Sequence, residues 1–252
     1  MHRTEVMARI AESSPGWKAR IAGVLYLIAG MSFSFADGSV RGKLVVIGNA
    51  AATAHNIMAH QPLYRLGYAA EVVSVVCYIA VTLILYDIFR PVSRSMSLLA
   101  AFFSLTGCTI QAVSSLLHLA PLVLLGGEPY LSAFTAEQSQ ALALMFLNLR
   151  AQAANIYMEF FGCYCLLLGY LIFRSRFMPK ILGVFMAIAG LSYQLFLSPP
   201  LAKQLFPYVI VPAGVLGELS LILWLVVMGV NAQRWKERAS AIVDWDLQPL
   251  QA

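Results

Sequence analysis

Apolar residues run along this chain in six long blocks, and the polar residues between them gather in short clusters. The blocks extend from about Ile21 to Ala36, Leu66 to Phe89, Leu98 to Leu125, Ala153 to Phe173, Ile181 to Leu197 and Tyr208 to Val230. Arg90-Pro91 stops the second, Gly126-Gly127 the third and Pro199-Pro200 the fifth. Each is close to the ~20 residues that cross a hydrocarbon core. Backbone polar groups in lipid must be satisfied within the segment, so each block is expected to be a helix. The pattern predicts an all-α fold, a polytopic integral membrane helical bundle of six transmembrane helices. Its divisions are a cytoplasmic segment 1–20, a transmembrane domain 21–232 and a cytoplasmic tail 233–252. Between the first two blocks, Asn49 can cap a short helix, with Pro62 as its end. Before the fourth, Thr135-Ala-Glu-Gln138 fits a capping box. A helix starting there would run through Ala141–Leu149 into the fourth block, its lead-in lying at the membrane interface.

Composition strengthens this reading. The 252 residues are 60% hydrophobic and 12% charged, with mean hydropathy +0.75, against roughly 25% charged residues in soluble domains. Six spans and their loops use nearly the whole chain and leave no room for a soluble catalytic domain. The net charge of +5 does not indicate a nucleic-acid partner, because the basic residues flank the apolar blocks. Twelve of the 17 Lys and Arg fall before the first block, between the second and third, between the fourth and fifth, and in the tail. Arg41, Lys43, Arg65, Arg150 and Lys203 fall on the other side. The richer side is expected to be cytoplasmic, which places both termini in the cytoplasm and the chain in the cell membrane. Ser34-Phe35-Ala36 resembles a small-x-small cleavage site, but Glu5 and Glu12 are foreign to a signal peptide's basic start, and the first block reads as an uncleaved anchor. The four cysteines all lie in apolar blocks, where neither a disulfide nor a metal pattern is apparent.

Within the blocks the costly residues are unevenly placed. Ionisable groups in a span mark function by default, and here most lie toward the extracytoplasmic ends, with Glu218 about midway along its block. Gln111, Ser115 and His118 share a helix face, as do Asn148, Gln152, Asn155 and Glu159, and Glu71, Ser74, Tyr78 and Thr82. These stripes predict a polar pocket in the outer half of the bundle, with Arg65, Glu71, Gln111, His118, Arg150, Asn155, Glu159 and Glu218 as lining candidates. The carboxylates would take a cation or a proton and the arginines an anionic group. The expected partners are the lipid bilayer and a small-molecule or lipid ligand, in a carrier or a sensor. Two other readings stay open. A glutamate with His118 could perform acid–base chemistry on a lipid-like substrate, or the stripes could join helices by hydrogen bonds in a structural assembly partner. Arg65 and Arg150 could then snorkel to the interface. His55 and His60 are five apart, off one helix face, and His118 is the one histidine clearly within a span, so neither metal nor haem is expected. No phosphate-binding loop or G-x-S-x-G is present, and no cofactor is expected.

Arg20-Ile-Ala-Gly23-Val and Ala29-Gly-Met-Ser32 in the first block parallel Lys180-Ile-Leu-Gly183-Val and Ala189-Gly-Leu-Ser192 in the fifth. In each case the next span carries one glutamate, Glu71 or Glu218, which suggests two related hairpins; recurrence of small residues at helix crossings is the alternative. Together with Ala50-Ala-Ala-Thr-Ala-His-Asn-Ile57, Tyr64-Arg-Leu-Gly67, Arg90-Pro-Val92, Cys165–Ser175, Pro179-Lys-Ile-Leu-Gly183 and Gly217-Glu-Leu-Ser-Leu-Ile-Leu-Trp224, the first-block segment Arg20–Tyr26 resembles the bacterial membrane family catalogued as domain of unknown function 4386, from about residue 18 to 232. The resemblance implies a multi-span membrane protein and no particular activity. It places Arg65 and Glu218 within the family's recognisable segments.

Overall fold

The computed structural model describes residues 14–247, with side chains to residue 241; Arg3, Glu5, Arg9, Glu12 and the tail's Trp245 side chain lie outside it. Six helices are long and apolar enough to cross a membrane. They are α1 (Pro15–Leu44), α3 (Gln61–Phe89), α4 (Arg94–Leu124), α5 (Ala136–Ser175), the run Lys180–Leu197 that begins as α6 (Lys180–Tyr193), and α7 (Pro199–Val227). Two shorter helices, α2 (Ala50–Ala59) and α8 (Ala232–Leu247), complete the set. Large apolar side chains stand exposed along the long helices, among them Val76 at 62%, Leu116 at 63%, Leu191 at 63% and Val227 at 64%. Water would not tolerate so much contiguous apolar surface, whereas lipid does.

Local chemistry accounts for the boundaries. Asn49 accepts a hydrogen bond from the Ala52 N–H at 2.9 Å and so caps α2. At α5 the capping box is reciprocal: the Thr135 N–H donates to Gln138 Oε1 at 2.9 Å and the Gln138 N–H to Thr135 Oγ1 at 3.3 Å. One expectation is corrected. Pro62 does not end α2, which stops at Ala59, but sits in the first turn of α3, where its missing N–H costs no helix bond. As expected, the helix opened by the capping box runs through Ala141–Leu149 into the fourth span: α5 is one helix of 40 residues, with Ala143, Leu147 and Arg150 buried. Helices α1 and α7 are not uniform. α1 widens into π turns over Phe35–Arg41, and α7 does so over Phe206–Ile210 and Val215–Leu219. Pro207 and Pro212 lie in the first part of α7, where each removes a backbone donor.

The chain divides into two compact units. Unit A comprises residues 14–26, 80–105 and 159–247 as far as they are described. In it α5 and α6 meet through glycines: a Cβ on Gly183 would lie 2.6 Å from the Gly169 carbonyl oxygen, and one on Gly190 2.8 Å from that of Gly162. Small residues of this kind let helices approach where no hydrophobic effect drives them together. Gly217 of α7 meets Ala189 and Phe185, and Gly23 of α1 meets Leu225 and Val226. Thus Gly23 packs on α7 while its proposed counterpart Gly183 packs on α5, and the contact pattern of the two hairpins is not repeated. Thr82 and Ser104 share a buried hydrogen bond at 2.6 Å. The Trp235 indole N–H of α8 donates to the Ile88 carbonyl at 2.8 Å.

Unit B comprises residues 27–79 and 106–158. Its apolar centre is Val40, Leu44, Ile57, Tyr64 and Leu147, with Phe35, Leu63 and Leu122 against it. Gly67 lets α3 press on Val40, whose Cγ1 would lie 2.9 Å from a Cβ there. Thr53 holds α2 to the preceding turn by accepting from the Val46 N–H at 2.9 Å and donating to its carbonyl at 3.1 Å.

Candidate functional site

Unit B buries a network of charged residues supplied by four helices. The π segment of α1 carries Asp37 and Arg41. Tyr64, Tyr68 and Glu71 lie on one face of α3, spaced four and three apart. His118 comes from α4 and Arg150 from α5. His118, Glu71 and Arg150 are 1%, 3% and 5% exposed, so the centre is dry. Removing ions from water costs several kcal/mol each unless partners compensate, and here they do. Arg150 Nη2 donates to Glu71 Oε1, and Arg150 Nη1 to Asp37 Oδ1 at 3.4 Å. Arg41 Nη1 reaches the same Asp37 oxygen at 3.4 Å. His118 Nδ1 lies 3.0 Å from Glu71 Oε1 and its Nε2 3.2 Å from the Tyr64 carbonyl oxygen. The Tyr64 hydroxyl donates to the His118 carbonyl at 2.7 Å, and its ring lies 4.2 Å from the imidazole between centroids.

The imidazole therefore meets an acceptor at each nitrogen. A backbone carbonyl only accepts, so Nε2 carries a proton. Both ring nitrogens are thus engaged within the protein.

Of the eight residues that the sequence singles out, Glu71, His118 and Arg150 meet in this network. Arg150 does not snorkel: its guanidinium is buried in ion pairs. Arg65 is exposed and stands apart. Gln111 is buried, and its Nε2 has no hydrogen-bond partner among the described residues. Asn155 is bonded along α5 to Gln152 at 3.3 Å. Glu159 and Glu218 belong to unit A. The Glu159 carbonyl accepts from Gln194 Nε2 at 3.3 Å, and its shielded carboxylate has no hydrogen-bond partner among the described residues. Glu218 lies in the second π segment of α7, with Tyr26 donating to Oε2 at 3.0 Å and Tyr193 donating to Oε1. Asp37, Arg41 and Tyr64 are members that sequence reasoning left off the site. Their signal was present in the four-residue step from Asp37 to Arg41 and the Tyr64–Tyr68–Glu71 stripe.

Unit B also has an open cleft of about 550 Å³. Ala51, Ala54, His55 and Met58 face it from one side of α2, and the end of α4, the loop through Phe134 and the start of α5 complete it. Its lining is mainly apolar, with His55, Glu128 and Gln140 among the polar groups.

Six apolar helices and a dry, ion-paired polar centre define a multi-pass α-helical membrane protein. Residues 21–229 match the model of the family described as domain of unknown function DUF4386, and the chain belongs to that family. An uncharacterised protein of Archaeoglobus fulgidus is similar to it, 26% identical over 151 residues that cover 60% of this chain and 76% of the relative. No solved structure matches the chain.

Proposed function

We propose that this protein binds a small amphipathic molecule in the cleft of unit B, as a carrier or a sensor in the cell membrane. The observation that carries the reading is the cleft itself. At about 550 Å³ it falls within the roughly 300–1,000 Å³ of small-molecule sites, and it combines an apolar lining with a few polar groups as such sites do. The helices that line it also hold the ion network, α4 through His118 and α5 through Arg150. That network would keep the helix ends in fixed register, as supporting polar shells do for binding sites. The count of basic residues orients the chain with both termini in the cytoplasm, so the cleft opens on the extracytoplasmic side.

The full engagement of His118 favours this reading over intramembrane acid–base catalysis. A structural role without a ligand is the second reading, favoured by the pairing of every charged group in the network. Native mass spectrometry of detergent-purified protein separates the two. A stoichiometric added mass in wild type that Met58→Trp removes, by filling the cleft, is the expected result. Bare protein in both samples would leave the structural reading.

A further inference from the structure

Four exposed cations gather in unit A where α5 ends, α6 begins and α8 starts: Arg174, Arg176, Lys180 and Arg234. Two hydrogen bonds tie these segments together. Arg234 Nη1 donates to the Arg176 carbonyl at 3.3 Å, and the Asn231 N–H donates to the Phe177 carbonyl at 3.2 Å. None of the four cations pairs with a carboxylate among the described residues. Glu237, further along α8, accepts from Gln233 Nε2 at 3.0 Å instead. Two of the cations stand against local preference. Arg176 follows the last residue of α5 with a φ of 60°, the left-handed position that helix ends ordinarily give to glycine. Arg234 lies in the first turn of α8, its N–H donating to the Asn231 cap at 3.0 Å, and the positive end of a helix disfavours a cation. The C-terminus of α5 does favour one, but Arg174 in its last turn already supplies it. Helix chemistry therefore explains neither Arg176 nor Arg234, whereas an anion shared between them would.

Aromatic rings set the depth of the cluster. Arg174 lies over Tyr170, 5.9 Å from the ring centroid, and Lys180 over Phe173, 5.3 Å from it. Both rings are exposed on a helix that crosses the membrane, so the cations above them sit at headgroup level, as interfacial aromatic and basic residues do. We infer that Arg176 and Arg234, flanked by Arg174 and Lys180, form a site for the phosphate of an anionic phospholipid. The guanidinium groups donate to its non-bridging oxygens, and the acyl chains lie along the face of α5 that carries Tyr170 and Phe173. A soluble phosphate would gain nothing from those rings, which assigns the occupant to the membrane. This site lies in unit A and does not depend on the cleft having an occupant.

The test titrates the full chain, purified in detergent, with phosphatidylglycerol or phosphatidylcholine and reads bound lipid by native mass spectrometry. Wild type should hold one phosphatidylglycerol at least about tenfold more tightly than phosphatidylcholine. Arg176→Gly keeps the left-handed helix end and the carbonyl that Arg234 meets, so its lipid-free Tm should match or exceed that of wild type. Its affinity for phosphatidylglycerol should fall about fivefold, the effect of one cation at a lipid surface. Arg234→Gln should lose as much. Lys203→Gln, which removes the same charge beyond the far end of α6, should lose nothing. Equal binding of the two lipids by wild type would overturn the proposal, as would wild-type affinity in either arginine variant or an equal loss in Lys203→Gln. Glycerol phosphate that displaces the lipid at equal concentration would overturn it in favour of a soluble anion.

Discussion

At the scale of single residues, the energetics of unit B turn on Glu71 and Arg150. Each is buried, and each would lose its nearest charged partner without the other. Removing one partner of such a pair costs about 3–5 kcal/mol, whereas exchanging both for neutral groups of similar volume is often close to neutral. Arg150→Met alone should therefore lower the thermal stability of the detergent-purified protein strongly, and Glu71→Gln combined with it should recover a large part of the loss. Equal destabilisation by the single and the double variant would mean that the pair contributes through packing instead of charge. The sequence made these two residues and His118 visible because ionisable groups in a span are costly and must have partners. It did not show which partners. Arg41 and Asp37 sit near the end of an apolar block, where charged residues ordinarily face water, and Tyr64 was hidden among aromatic residues that serve equally well as packing. Glu71 and Glu159 looked alike as carboxylates in polar stripes, yet one is ion-paired in unit B and the other lies in unit A with no hydrogen-bond partner among the described residues.

At the scale of elements, turn chemistry was more legible than burial. The capping box at Thr135 and the Asn49 cap depend on two or three neighbouring residues, so spacing alone revealed them. The capping box also gave the start of α5, but the burial of its first turns was not legible, because Gln138, Gln140, Asn148, Arg150 and Gln152 interrupt its hydropathy, and a polar residue turned to a protein interior reads the same as one turned to water. The π segments were also invisible, since the register of a helix that widens is set by what its side chains must reach. Both Asp37 and Glu218 lie in such segments, consistent with the frequent occurrence of π turns at functional positions. The caps give a local test. Thr135→Ala should cost about 1 kcal/mol at the start of α5, seen as faster hydrogen exchange over residues 136–139 with the melting of the remainder unchanged. Unaltered exchange there would show that the loop before α5 holds the helix start without the threonine hydroxyl. For α8, Trp235→Phe keeps the ring and removes the N–H that satisfies the Ile88 carbonyl. Faster proteolysis confined to the segment after Val230 is expected, and protection equal to wild type would assign the docking of α8 to ring packing.

At the scale of the whole molecule, hydropathy alone predicted six spanning helices because lipid leaves so few alternatives: a run of apolar residues of that length has to be a helix. Orientation rests on a different asymmetry, the concentration of Lys and Arg before α1, between α3 and α4, between α5 and α6, and after α7. It can be tested without knowing any ligand. Ser132 is exposed in the loop before α5, and Ser95 is exposed at the start of α4. The four native cysteines all lie within the spanning helices, so an introduced cysteine in either place stands out against them. On intact cells a membrane-impermeant maleimide should label Ser132→Cys and leave Ser95→Cys unmodified until the cells are broken. The opposite pattern would place the Lys- and Arg-rich segments outside, contrary to the positive-inside rule. The cleft beside Ser132 would then draw on cytoplasmic solutes, and the search for an occupant would move from what the cell meets outside to what it makes within.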